Sequence, residues 1–244
     1  GAGSRWFQLY WPADDEILES FISRVERAGY SAIVLTVDCF APGWRPLDMQ
    51  LGGPLEVQAV GSQIFFSDPA FRAKLARSPE QDPGAAAMLY HRLRSNPALN
   101  WDDLSRLLEL TSLPIVAKGI QHPDDAREAV SRGVAAIVCS NHGGRQVDGA
   151  IASLDALPAI VDAVEGRVPV LFDSGVRSGS DVIKAIALGA EAVLLGRPFL
   201  YGLALAGEAG VAHVVRCLLG DLELTLALCG CANVADLGPQ VLAA

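Results

Sequence analysis

Lysine is scarce in this chain. Of its 244 residues only Lys74, Lys118 and Lys184 are lysines, and no basic cluster offsets the formal net charge of −9. That balance argues against nucleic acid and anionic membrane as partners, because both are held by concentrated positive charge. Long apolar runs are lacking too: the longest apolar region, around Ile186 to Leu205, is interrupted by Glu191 and Arg197, so no membrane span is expected. The five cysteines, at 39, 139, 217, 229 and 231, have no metal-ligand spacing, and Cys229-Gly230-Cys231 lacks the two-residue spacer of a redox motif. Reduced thiols, no metal site and a cytoplasmic setting follow as expectations. No G-x-G-x-x-G follows the first strand-like run, so a dinucleotide-binding fold lacks its main signal. An initiator Met and a signal peptide are absent, and Gly1-Ala2-Gly3-Ser4 leads almost at once into that run. The chain reads as the interior of a longer protein.

What is present is a globular chain, 51 % apolar and 19 % charged, long enough to bury a sizeable core. Arg5 to Tyr10 reads as a strand, and Asp14 and Asp15 open a helix whose apolar face is Ile17, Leu18, Phe21, Ile22, Val25 and Ala28. Gly29 ends that helix, and Ala32 to Asp38 is a buried strand. From Cys39 to about Asn96 the pattern loosens, with turns at Pro42 to Pro46 and Gly52 to Pro54 and short helices at Asp68 to Ala76 and Ala85 to Leu93. An excursion of that length is usually a lid or binding loop. A regular rhythm follows: helices at 101–110, 123–132, 154–164 and 180–188 alternate with strands at 114–119, 135–138, 168–173 and 192–197, and helices at 207–219 and 221–229 close the chain. The pattern Gly29-x-x-Ala32-Ile33-Val34 recurs at Gly133 and at Gly189, each glycine capping a helix before an apolar strand. Strands without polar alternation, alternating with helices, mean a parallel sheet covered on both faces.

The polar residues choose between the two architectures of that kind. Gln8, Tyr10, Thr36, Asp38, Lys118, Ser140, His142, Asp173 and Arg197 fall at or just past the ends of many different strands. That is the barrel arrangement, whereas a doubly wound sheet gathers its chemistry at one switch point. The expectation is therefore α/β, a TIM (β/α)8-type barrel with about six of its eight strands and the first two βα units absent. Residues 1–244 form one catalytic domain, with 39–96 as its lid-like excursion.

Cys139 to Gly149 is the stretch around which the rest is arranged. His142 and Arg145, three residues apart in a Gly-Gly turn, can share one small anion: an imidazole moves protons near neutral pH, and a guanidinium forks onto a carboxylate. Alone, the motif is better explained by a polar surface turn, and only company elsewhere in the chain overturns that reading. Lys118 ends an apolar strand and needs an anion or electron-rich acceptor; a structural ion pair is its plain alternative. Asp173 to Gly179 and Leu195 to Pro198 follow the last two strands, where barrels commonly cradle a phosphate. His122 precedes a helix-opening Pro123 and reads as a local cap. His91 and His213 read as surface or packing residues, and Trp6, Trp11 and Trp101 as packing. Trp44, beside Arg45, is placed to face a substrate.

Taken in order, Gln8-x-Tyr10, Thr36-x-Asp38, Lys118-Gly119, Ser140-Asn141-His142-Gly143-Gly144-Arg145-Gln146, Asp173-Ser174-Gly175-Val176-Arg177 and Gly196-Arg197 resemble the FMN-dependent α-hydroxy-acid oxidases and dehydrogenases. Gly43 to Pro46, Phe66 to Pro69 and Ser95 to Leu99 are similar to the lactate 2-monooxygenase branch. The resemblance implies FMN as cofactor, a small L-2-hydroxy acid such as lactate and O2 as substrates, and a homo-oligomer, tetramer or octamer. It implies that His142 is the active-site base and that Asp38 stabilises its protonated form. Arg45 and Arg145 would hold the substrate carboxylate and Tyr10 would bond to the substrate. Gln8 and Thr36 would meet the pyrimidine edge of the flavin, Lys118 its N1–C2 carbonyl, and Ser140 and Asp173 the ribityl region. Gly175, Arg177, Gly196 and Arg197 would meet the phosphate. The monooxygenase branch yields acetate, CO2 and water from lactate. The rival readings are an oxidase releasing keto acid and H2O2, and a catalytically silent remnant that binds no flavin.

Overall fold

In the computed structural model, residues 3–50 and 62–242 are described, and the turn expected at Gly52 to Pro54 lies outside them. The chain forms two compact units, Gly1–Val116 and Ala117–Ala244.

The first unit opens with β1 (Trp6–Leu9), α1 (Asp15–Arg27) and β2 (Ala32–Thr36). β1 and β2 pair in parallel, Trp6 against Ala32 through Leu9 against Leu35. Asp14 caps α1 by accepting from the Ile17 amide, and Gly29 leaves it at φ +71, the left-handed turn that glycine takes without steric cost. Ile17, Leu18, Phe21, Ile22 and Val25 are all buried, so the helix lies on the sheet by the stripe its periodicity marks. Every residue of β2 is buried, as a strand covered on both faces must be. Its far side meets the next strand where the Ile33 amide donates to the Pro114 carbonyl at 3.0 Å.

Between β2 and that strand come α2 (Pro46–Gln50), α3 (Gln63–Phe66), α4 (Pro69–Ala73), α5 (Pro83–Leu93) and α6 (Asp103–Leu110). The described part of the excursion is tied to α1 through one buried carboxylate. Asp68 accepts from the Ala70 and Phe71 amides, from Ser20 Oγ at 2.8 Å and from Arg24 at 2.8 Å. Phe65 stacks edge-on against Phe21, Phe71 and Tyr90, extending the core over this segment. Short helices at 46–50 and 63–66 had no counterpart in the sequence reading. Each spans about one turn, too short for a periodic signal.

β3 (Ile115–Ile120) runs from the first unit into the second, which continues with α7 (Pro123–Ser131), β4 (Ala136–Cys139), α8 (Ser153–Val164), β5 (Val170–Phe172), α9 (Gly179–Ala187), β6 (Ala192–Val193) and α10 (Arg197–Leu228). β4 pairs with β5 and β5 with β6, all parallel. The Ser140 amide donates to Ile120 O, setting the end of β4 beside β3. Strand order follows chain order within each unit, with a helix after each strand, and the six strands are those of a (β/α)8-type barrel. Among the described residues no helix is long and apolar enough to cross a membrane.

Three expectations are corrected. β6 ends at Val193, so Arg197 opens α10 instead of closing a strand; Gly196, at φ −107 and ψ −100, turns the chain first. The break in the last helix falls at Ala206 and Gly207, not near Gly220. Gly207 takes φ +57 and ψ −140, open essentially to glycine alone, and a Cβ on Gly202 would stand 2.5 Å from Gly210 O. The bend brings two glycine backbones together, while nothing lies within 4 Å of a Cβ on Gly220 and the helix runs through it. Trp6 is 44 % exposed at the first residue of β1, whereas Trp11 is buried as expected.

Candidate functional site

In the first unit the strand ends collect amide, phenol and hydroxyl groups. Gln8, near the end of β1, donates through Nε2 to Tyr10 Oη at 3.0 Å and to Thr36 Oγ1 at 3.1 Å. One side-chain amide nitrogen thus ties together groups at the ends of two strands. Asp38 lies two residues past β2 and is half-buried. Arg45 precedes α2 and stands 3.8 Å from Asp48.

The second unit holds the denser cluster. Lys118 sits inside β3, which continues two residues past it, and is only 8 % exposed. Its ammonium lies 2.9 Å from Ser140 Oγ and 2.9 Å from Asp173 Oδ2. An ammonium has three donors, and among the described residues these two partners take two. The structural ion pair, one of the two alternatives in the sequence, is present. A buried Lys held by one carboxylate can still offer a hydrogen to an electron-rich group.

The chain turns sharply after β4. His142 adopts φ +57, and Gly143 and Gly144 follow at φ +70 and +72. The His142 amide donates to Ser140 Oγ at 3.1 Å, and the Gly144 amide to Asn141 Oδ1 at 3.1 Å. Gly143 suits its left-handed φ, and a Cβ there would stand 2.7 Å from, and displace, an Arg197 nitrogen that donates to the Gly143 carbonyl at 2.9 Å. Arg145 is exposed.

A cavity of about 350 Å³ lies between this turn and the loop after β5, lined by Asn141, Gly143, Gly144, Ser174, Gly175 and Arg197 among others. Gly175 is at φ +83 with nothing within 4 Å of a Cβ, so its backbone faces open space. Glycine backbone beside one guanidinium suits an anion such as a phosphate monoester. Asp181 also borders the cavity, but its carboxylate is engaged in capping α9, accepting from the Arg177 and Ser178 amides and from Ser178 Oγ. Burial opposes ionisation there, yet these hydrogen bonds outweigh it and hold the carboxyl below its usual range. Arg177 lines a different cavity, of about 380 Å³, with Leu195, His213, Cys217 and Asp221. The two arginines expected together are thus not lining one space.

Cys139 is buried and donates to Ser153 O, and burial, with the Asp173 charge adding, pushes its thiol up to about 12. His122 caps α7 by accepting the Asp124 amide at Nδ1, as its place before Pro123 implies. Ser174 had no role in the sequence reading; the signal that could have found it is its place in a strand-end loop between an Asp and a glycine.

Six parallel strands whose ends carry a buried lysine, a His-Gly-Gly turn and a glycine-lined cavity place the chain among the (β/α)8-type barrels, and residues 1–244 match the FMN-dependent dehydrogenase family along their whole length. The chain belongs to that family. It is 50 % identical over 239 residues to the FMN-dependent alpha-hydroxy acid dehydrogenase qulF of Penicillium citrinum, covering 96 % of this chain and 59 % of that protein. It is 46 % identical over 240 residues to an L-lactate oxidase of Lysinibacillus sphaericus, covering 97 % and 60 %. Among solved structures, mandelate oxidase with (S)-2-phenylpropionate matches with a TM-score of 0.76 at 40 % identity, over 96 % of this chain and 61 % of that one. The chain spans about three fifths of the length of these relatives.

Proposed function

We propose that this chain belongs to an FMN-dependent enzyme that oxidises a small L-2-hydroxy acid, lactate by preference, with O2. The observation that carries the reading is the buried Lys118 ammonium, braced by Ser140 and Asp173 with a donor to spare, beside the His142 turn. The donor set suits FMN: a cation for an electron-rich ring edge, an amide and a hydroxyl for its pyrimidine side, and a glycine-lined cradle with Arg197 for a phosphate. When bound, FMN supplies the two-electron acceptor. The protein supplies the rest. Gln8, Thr36, Lys118, Ser140, Asp173, Gly175, Gly196 and Arg197 bind and orient the cofactor, and Arg177, which lines the separate cavity, is left out of that set. Arg45, Arg145 and Tyr10 hold the substrate, and His142 Nε2 or Nδ1 takes the hydroxyl proton, its charged form being the one Asp38 stabilises.

The likeness at 43–46, 66–69 and 95–99 supports the monooxygenase outcome, acetate, CO2 and water. The 46 % identity to a protein named L-lactate oxidase supports release of pyruvate and H2O2. A cytoplasmic homo-oligomer belongs to the same reading. The test is anaerobic mixing of the FMN-loaded full-length protein with L-lactate, followed by O2. Bleaching of the flavin spectrum is expected, and product analysis then assigns the branch; a spectrum unchanged by lactate, glycolate and mandelate alike overturns the proposal.

A further inference from the structure

Among the described residues only three that are not glycine have positive φ: His142, Glu165 and Ser174. Two of the three are joined. Ser174 holds φ +84, a conformation that costs an L-residue energy and that glycine adopts freely. Its hydroxyl does two things that glycine cannot. It accepts the Gly143 amide at 3.0 Å and donates to Asp173 Oδ1 at 2.9 Å. The other carboxylate oxygen of Asp173 holds Lys118, Lys118 donates to Ser140 Oγ, and Ser140 Oγ accepts the His142 amide. The result is a closed ring. It starts at the His142 amide, passes through Ser140, Lys118, Asp173 and Ser174, and returns at the amide of the very next residue, Gly143. Two consecutive amides of the His142 turn are thereby pinned to opposite ends of one ion-pair network, and Ser174 Oγ joins that network to the second of them.

We propose that Ser174 is a positioning residue: its hydroxyl locks the His142 turn to the Lys118–Asp173 pair and so holds the imidazole in its working orientation. The reading of His142 as the base is the one given under the proposed function; the tie itself stands apart from it. A position where glycine would be easier holds a serine because the hydroxyl closes the ring, and the strained backbone persists because hydrogen bonds on both sides determine it.

Strain and hydroxyl can be separated by substitution in the full-length protein. S174G relieves the backbone and removes the link, S174A removes the link and keeps the strain, and S174N keeps a donor and an acceptor in a residue that tolerates left-handed φ. Hydrogen exchange of the Gly143 amide is expected to be at least about tenfold faster in S174G than in the parent, and to return towards the parent in S174N. With L-lactate as substrate, S174G should lose about tenfold or more in kcat, with KM changed less than about twofold, FMN content unchanged and melting temperature equal or higher. S174N should recover most of the kcat. An S174G variant with parental Gly143 exchange overturns the tie, and one with parental kcat overturns its role in positioning. A parent inactive on every 2-hydroxy acid would remove the base role from His142, and the amide exchange would still decide whether the tie exists.

Discussion

His142 is the residue on which the proposed chemistry turns, and hydrogen bonds hold its backbone and that of the residue after it. Its amide is held by Ser140, and the next residue is held by Ser174 on one side and Arg197 on the other. Replacing His142 by Gln should leave FMN bound and cut the rate of flavin reduction by lactate about a hundredfold or more, the span usual for loss of a general base. Stopped-flow absorbance checks this, and near-parental reduction would take His142 out of the mechanism. Arg145→Lys should weaken lactate binding by about 1.5–3 kcal/mol, since an ammonium cannot reproduce a two-point guanidinium–carboxylate contact. Unaltered binding in a lactate titration of the oxidised enzyme would move the carboxylate site elsewhere. Cys139 makes the opposite kind of prediction. With its thiol pushed up to about 12, the reactive thiolate is scarce at neutral and mildly alkaline pH, and the side chain is buried as well. Native protein treated with iodoacetamide should therefore carry label on exposed Cys217 and Cys229 long before Cys139, as read by peptide mass spectrometry.

Helix α9 shows how an element near the cavity is held. Ser178 and Asp181 form a capping box, and the Asp181 carboxylate also takes the Arg177 amide, so the loop and the helix start form one hydrogen-bonded piece. The folded state lowers the Asp181 pKa from 3.8. A depressed carboxylate contributes stability that is fully present above its unfolded value and is lost as pH falls through the folded value. Asp181→Asn should thus cost about 0.5–2 kcal/mol near neutral pH, and the gap between variant and parent should close as the pH drops below that range. Urea unfolding across an acid series measures it; a gap independent of pH would mean that charge plays no part in the cap. The helical excursion of the first unit is held in the same manner, by the buried Asp68 accepting from α1 and from the start of its own helix. No apolar periodicity announces such an anchor, and in the sequence Asp68 is only the start of a short helix.

At the scale of the whole molecule, a phosphate cradle distinguishes FMN from riboflavin, which has the same ring system and no phosphate. A ligand that binds only the folded state stabilises it by about 2.7 kcal/mol at a hundred times its dissociation constant. For a chain of this length that corresponds to a rise of roughly 5–11 °C in melting temperature. FMN should produce such a shift, riboflavin at the same concentration a much smaller one, and Arg197→Ala should bring the two ligands together. Equal shifts in the parent would show that Gly143, Gly175 and Arg197 do not receive the phosphate. Family membership makes this a test of which residues bind, because residues 1–244 match the FMN-dependent dehydrogenase family throughout.

The amino-acid sequence by itself determined the parallel strands, their helices and most of the polar residues at strand ends. Those features are local: apolar runs such as Ala32 to Leu35, glycines such as Gly29 and Gly133 that permit left-handed turns, and Asp14 or Asp68 as caps each act within a few residues. The family was legible for a related reason, since Ser140 to Gln146 is a contiguous motif. Tertiary structure alone decided what depends on partners distant in the chain. Lys118 becomes a braced cation only when Ser140 and Asp173, 22 and 55 residues away, converge on it, and Arg197 reaches Gly143 across 54 residues. The same holds for the break at Gly207, set by two backbones meeting at Gly202 and Gly210, and for Ser174, an ordinary turn residue in sequence whose hydroxyl acquires its role only between Gly143 and Asp173. Periodicity and propensity record the chain's own neighbours; hydrogen-bond partners brought together by the sheet leave no such record.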